Sequence, residues 1–112
     1  MKISTRFNRF LHGAVFNEVM KVEYLRIRLG NVVRILPIKK NMNYLKYWLK
    51  VYNLDYPMAD NGIKYSTRWI DTKQTMQHIE WCIKIMGENG HELPFVREEY
   101  EKMMNSFKNL TN

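Results

Sequence analysis

Val22 to Ile38 constrains the fold more than any other stretch of the chain. Leu25, Ile27 and Leu29 alternate with Tyr24, Arg26 and Arg28, and after Gly30-Asn31 the apolar character resumes in Val32-Val33-Arg34-Ile35-Leu36. Successive side chains of a strand point to opposite faces, so period-two alternation on both sides of a Gly-Asn turn predicts a β-hairpin with one apolar face. Its register follows from where Arg34 falls. A two-residue Gly30-Asn31 loop pairs Leu29 with Val32 and Ile27 with Arg34, and pushes Arg34 into the apolar face. A three-residue loop, Gly30 to Val32, pairs Leu29 with Val33 and Ile27 with Ile35, and gathers Arg26, Arg28 and Arg34 on the other side. The three-residue loop is the expected one.

The remaining segments read as cover for that face. From Thr5 to Met20 the residues Phe7, Phe10, Leu11, Ala14, Val15 and Val19 fall near helical spacing, with Ser4 or Thr5 as a cap and Gly13 weakening the middle. Asn41 to Leu54 sets Leu45, Trp48, Leu49 and Tyr52 on one stripe and Lys46 with Lys50 on another, predicting a basic amphipathic helix. Asp55 to Gly62 is turn-rich, and Ile63 to Ile70 has the β-branched and aromatic content of a third strand. Asp71-Thr72-Lys73-Gln74 is a capping-box pattern that starts a helix burying Met76, Ile79, Ile83 and Met86. Pro94 starts the last helix, which buries Val96, Tyr100, Met103, Phe107 and Leu110 and carries Glu98, Glu99 and Glu101 near its positive end. The expected architecture is α+β. It comprises an N-terminal helix, the hairpin with a candidate third strand, a basic helix, and an antiparallel helix pair packed over one sheet face.

At 112 residues the chain has material for one modest core, so residues 1–112 are expected to form a single domain. Neither a flexible linker nor an internal repeat is visible. The single Cys82 excludes an intrachain disulfide framework, and no apolar run approaches the roughly 18 residues of a membrane span. The apolar run that follows Lys2, Arg6 and Arg9 is too short for a signal-peptide core and reads as part of the fold. A reducing, cytoplasmic setting is expected. Abundant Asn, Met and Tyr with few Ala and Gly resemble the output of an AT-rich genome, as in a low-GC bacterium or its phage.

Charge is divided by position. Residues 1–54 carry eleven Lys and Arg against two Asp and Glu, whereas residues 55–112 carry seven against nine, so a basic half precedes a neutral-to-acidic helical half. A field of one sign on part of a small protein attracts polyanions and speeds their encounter. Arg26, Arg28, Arg34, Lys39, Lys40, Lys46 and Lys50 are the candidate contacts. In the three-residue register Arg28 stands opposite Arg34 with Arg26 beside them. Like charges across a strand pair oppose each other unless an anion or acidic surface compensates. The bland alternative is a solvated face, or one covered by the acidic C-terminal helices.

Catalytic signatures are missing. Gly87-Glu88-Asn89-Gly90 lacks the Lys-Ser/Thr of a phosphate loop, and Asp55 and Asp60 have no third partner in sequence. His12, Asp55, Asp60 and Glu80 make a nuclease-like set only if folding brings them together. His78 and Cys82, four positions apart on one helix face, fall short of a metal's ligand set and read instead as a buried thiol beside a partly exposed imidazole. No metal or cofactor is expected. The closing helix pair does not fit a helix-turn-helix reader either, because its turn spans about seven residues and its second helix is acidic.

The expected function is therefore non-enzymatic: an accessory or regulatory protein docking through its basic half onto nucleic acid or a nucleic-acid-handling complex. The alternative is a modulator or inhibitor that binds an acidic surface of a larger protein, with Tyr47, Tyr56 and Trp69 as candidate anchors.

Overall fold

The computed structural model describes residues 3–111 and has an α+β architecture: helices around a two-stranded antiparallel hairpin. The chain runs through α1 (Ile3–Phe10), a π-helical turn (Leu11–Val15), α2 (Phe16–Val19), β1 (Tyr24–Leu29), β2 (Val32–Pro37), α3 (Met42–Tyr52), α4 (Thr72–Glu88) and α5 (Pro94–Thr111).

The hairpin lies where the alternation puts it, but its register is the other one. Leu29 pairs with Val32, Arg28 with Val33, Ile27 with Arg34, Arg26 with Ile35 and Leu25 with Leu36. Two backbone features favour this two-residue loop over the expected three-residue loop. Gly30 supplies φ +62° at the first loop position, as a II′ turn requires. The amide of Ile38 donates to the Glu23 carbonyl, so the hydrogen-bonded pairs, every second one, are Leu25–Leu36, Ile27–Arg34 and Leu29–Val32. Pro37, opposite Tyr24, then sits where an amide would point away from the partner strand, and its missing N–H costs the ladder nothing. Leu25, Ile27 and Leu36 are buried on the inner face, while Arg34, near the open tip on that same face, stays exposed. Along β2 burial stops at Leu36, although Ile27, the partner of Arg34 on β1, is fully buried.

The N-terminal helix begins at Ile3, so Ser4 and Thr5 fall inside its first turn instead of capping it. Around Gly13 its bonding widens, and the Phe16 amide reaches back five residues to the Leu11 carbonyl. One extra residue in a turn carries the apolar stripe about 100° forward, away from Ala14 and Glu18 and onto Val15, Phe16 and Val19. Phe16, absent from the regular 3.6-residue stripe, becomes fully buried beside Phe7, Leu11 and Val15.

The later helices follow their sequence signals. Asn41 caps α3 by accepting from the Tyr44 amide, and Asp71 and Gln74 form the reciprocal capping box that starts α4. Tyr100 reaches the Glu80 carboxylate at 2.6 Å, while Arg97, nearly one turn earlier, lies over Gly87. Helices α4 and α5 are therefore antiparallel. The rings of Phe7 and Phe10 on α1 pack against Tyr100, and Phe7 also meets Phe107. Leu110 departs from expectation and is exposed.

The third strand does not form. Its segment holds one isolated bridge, Met58 to Lys64, and a single 3-10 turn over Thr67–Trp69. Ile63, Tyr65 and Trp69 are exposed there, so the β-forming side chains find no neighbouring strand to pack on.

The register has a direct energetic signature. Ile27→Ala should cost on the order of 2–5 kcal/mol in denaturant unfolding, as for a buried aliphatic side chain, and Ile35→Ala less than about 1 kcal/mol. In the three-residue register both substitutions would be costly.

Candidate interaction surface

The structure distributes the seven candidate contacts over the hairpin, the segment after β2 and α3. Arg26 and Arg28 share the outer face of the hairpin, and Arg34 projects from the opposite face. Lys39 and Lys40 follow the end of β2, where the Lys39 ammonium lies over the Tyr44 ring at 5.1 Å and the Tyr44 hydroxyl donates to the Pro37 carbonyl. Lys46 and Lys50 lie one turn apart on α3 and are half-buried. The two ion pairs among the described residues, Lys21–Glu18 and Lys102–Glu98, involve none of the seven. No ion pair joins them to the acidic C-terminal helices among the described residues.

The change of register alters what the outer face presents. Arg34 leaves it, and Val33 and Ile35 enter it, at 52% and 57% exposure, across from Arg28 and Arg26. With Tyr24 also exposed, the face carries two guanidinium groups, two β-branched side chains and a phenol. A cleft of about 480 Å³ beside Tyr24 and Arg26 adds Glu23 and Glu88, so the charge there is mixed.

The two edges of the hairpin differ. At the β1 edge the Asn89 side chain accepts from the Arg26 amide at 2.8 Å and donates to the Arg26 carbonyl at 3.0 Å, standing in for a neighbouring strand. At the β2 edge Val33 and Ile35 sit at positions whose amides and carbonyls point outward, and no hydrogen bond from outside the hairpin reaches them among the described residues.

A second polar centre lies behind α3. Lys64 donates to the carbonyls of Asn53 and Tyr56, at 3.2 and 3.1 Å, and holds the loop that follows the helix. Asn53 is buried; its Oδ1 accepts from the Asp55 amide, which turns its Nδ2 toward His78 Nδ1 at 2.9 Å. His78 Nδ1 must then accept, and the ring proton resides on Nε2, which is buried without a partner. His78 is thus a core residue, contrary to the expected partly exposed imidazole. It is stacked on Trp81 and edged by Tyr56 and Phe16. Burial, reinforced by the charges of Lys50, His12 and Lys64, lowers its pKa from 6.5 to about 3. His12, which donates to the Asn8 carbonyl, is also shifted down, by burial and then by Lys46 and Lys50; Lys50 is lowered by burial and by Lys46.

The nuclease-like and metal sets do not assemble. Glu80 is engaged by Tyr100, burial pushes the Cys82 thiol up, and among the described residues no three His, Cys, Asp or Glu side chains converge as a metal would need. Tyr56, a candidate anchor, is 3% exposed and serves the interior, whereas Tyr47 and Trp69 are exposed, Trp69 at 75%. Trp48 packs partly buried between Tyr44 and Tyr52. The Asn53–His78–Lys64 centre escapes sequence inspection, because nothing local links residues on three separate segments. Comparison of the chain with protein-family models, curated proteins and solved structures gave no match.

Stability should fall in mild acid. The neutral His78 contributes fully above about pH 6.5, where the unfolded side chain is also neutral, and that contribution declines as pH falls toward 3 at up to about 1.4 kcal/mol per unit. Unfolding free energies from urea titrations at about pH 7 and 4.5 should differ by an amount on the order of 2–3 kcal/mol in the native chain, and by clearly less in His78→Leu.

Proposed function

We propose that this protein is a non-enzymatic modulator that docks the outer face of its hairpin onto an acidic surface of a larger protein. The observation that carries this is the composition of the face: Tyr24, Arg26, Arg28, Val33 and Ile35 are exposed together. Arg and Tyr are enriched in protein interfaces, and apolar side chains between them supply the desolvated centre from which affinity comes. Phosphate backbones offer nothing for Val33 and Ile35 to pack on. Steering by the basic half favours fast encounter with an acidic partner. The setting in this proposal is the cytoplasm, of a bacterium or of a phage's host.

Docking on nucleic acid is the second reading. It is favoured by one specific observation, that among the described residues neither ion pair involves Arg26, Arg28, Arg34, Lys39, Lys40, Lys46 or Lys50.

Affinity purification of the tagged full chain from its native cell, with and without nuclease, separates the two. A stoichiometric protein that survives nuclease and is lost from Arg26→Glu/Arg28→Glu is the expected outcome. Recovery of nuclease-sensitive material would favour nucleic acid. Its affinity would then fall linearly with salt on logarithmic axes, and Lys39→Ala/Lys40→Ala would lower the slope by about two.

A further inference from the structure

We propose that the open edge of β2 accepts an extended acidic segment of the partner as a third strand, a mode of binding that rests on the protein reading above. The outward amides and carbonyls of Val33 and Ile35 form a short template for strand addition. Both ends are defined. Gly30-Asn31 closes one end, and Pro37, with no amide to offer, closes the other. The β1 edge is already occupied at Arg26 by Asn89, which leaves β2 as the open side.

The side chains specify the guest. Residues of an added strand on the outer face lie against Val33 and Ile35, and the residue between them lies beside Arg34. The matching segment is therefore apolar, acidic, apolar in alternation. Further acidic residues would continue toward Lys39 and Lys40. Arg26 and Arg28 are about 10 Å from the added strand, two strand spacings away, and meet the partner's body rather than this segment.

A second copy of the chain fits poorly. Two β2 edges related by a two-fold axis, with Val33 of each opposite Ile35 of the other, bring Arg34 face to face with Arg34, and like charges directly opposite are destabilising.

The test uses the full chain and a labelled peptide of alternating Val and Glu, together with the same peptide N-methylated at every residue of one backbone edge. Fluorescence anisotropy should show binding of the parent peptide, weakened about tenfold or more by N-methylation. Arg34→Glu, and Ile35→Pro, which removes an outward amide and an apolar contact while sparing the ladder bonds to β1, should weaken it similarly. Equal binding of the parent and N-methylated peptides, or binding of neither, would overturn strand addition. So would concentration-dependent self-association that Ile35→Pro abolishes, since it would give the edge to a second copy. Loss of the cellular partner on Arg26→Glu/Arg28→Glu is read separately, so docking on an acidic protein can stand while its strand-addition mode fails.

Discussion

The pairing of Ile27 with Arg34 is the contact on which the rest of the account depends. A hairpin slipped by one residue exchanges its two faces along one strand, and the slip here is set by three backbone facts: Gly30 at positive φ, the Ile38–Glu23 bond, and Pro37 at an outward amide position. Once Ile27 faces Arg34, Leu25 and Leu36 are aligned to enter the core, and Val33 and Ile35 are forced outward. The structure tolerates Arg34 on the inner face because the tip of the hairpin projects past its cover and leaves the guanidinium in water. That is why a side-chain rule, keep Arg out of the apolar face, gives the wrong loop length.

Behind the hairpin, the widened turn at Leu11–Val15 and the buried Asn53–His78 pair do related work. The first rotates the N-terminal helix so that Phe16 joins Phe7 and Leu11 in the core. The second ties the end of α3 to α4, with the Lys64 ammonium holding the intervening loop through two carbonyls. A neutral imidazole near two lysine ammonium groups is a constraint with a cost in acid, and a lysine spent on carbonyls is unavailable to a ligand. The basic half is thus not uniformly a contact surface: Lys46 and Lys50 are partly withdrawn beside His12, whereas Arg26, Arg28, Arg34, Lys39 and Lys40 stand open.

Much of the fold was legible in the sequence because its signals are local. The capping box at Asp71, the place of the hairpin and the buried faces of α3, α4 and most of α5 each depend on residues within a few positions of one another. What was not legible depends on distant partners. Ile63 to Ile70 has strand-forming residues but no strand to pair with, Leu110 keeps the helical spacing of the buried stripe yet is exposed, and the partners of His78 come from α2, the end of α3 and the loop after it. The candidate contacts were legible as residue types. Their arrangement was not, because one slipped pair removes Arg34 from the face and installs Val33 and Ile35, the apolar centre on which the proposed protein interface rests.

Cross-strand proton contacts in solution test that arrangement most directly. Non-hydrogen-bonded antiparallel pairs bring their Cα atoms to about 4.5 Å, so their Hα protons give strong nuclear Overhauser effects. Strong Hα–Hα effects between Arg26 and Ile35 and between Arg28 and Val33 are the predicted result. A strong effect joining Arg28 to Arg34 would contradict it, return Arg34 to the outer face, and remove the apolar centre from the proposed interface.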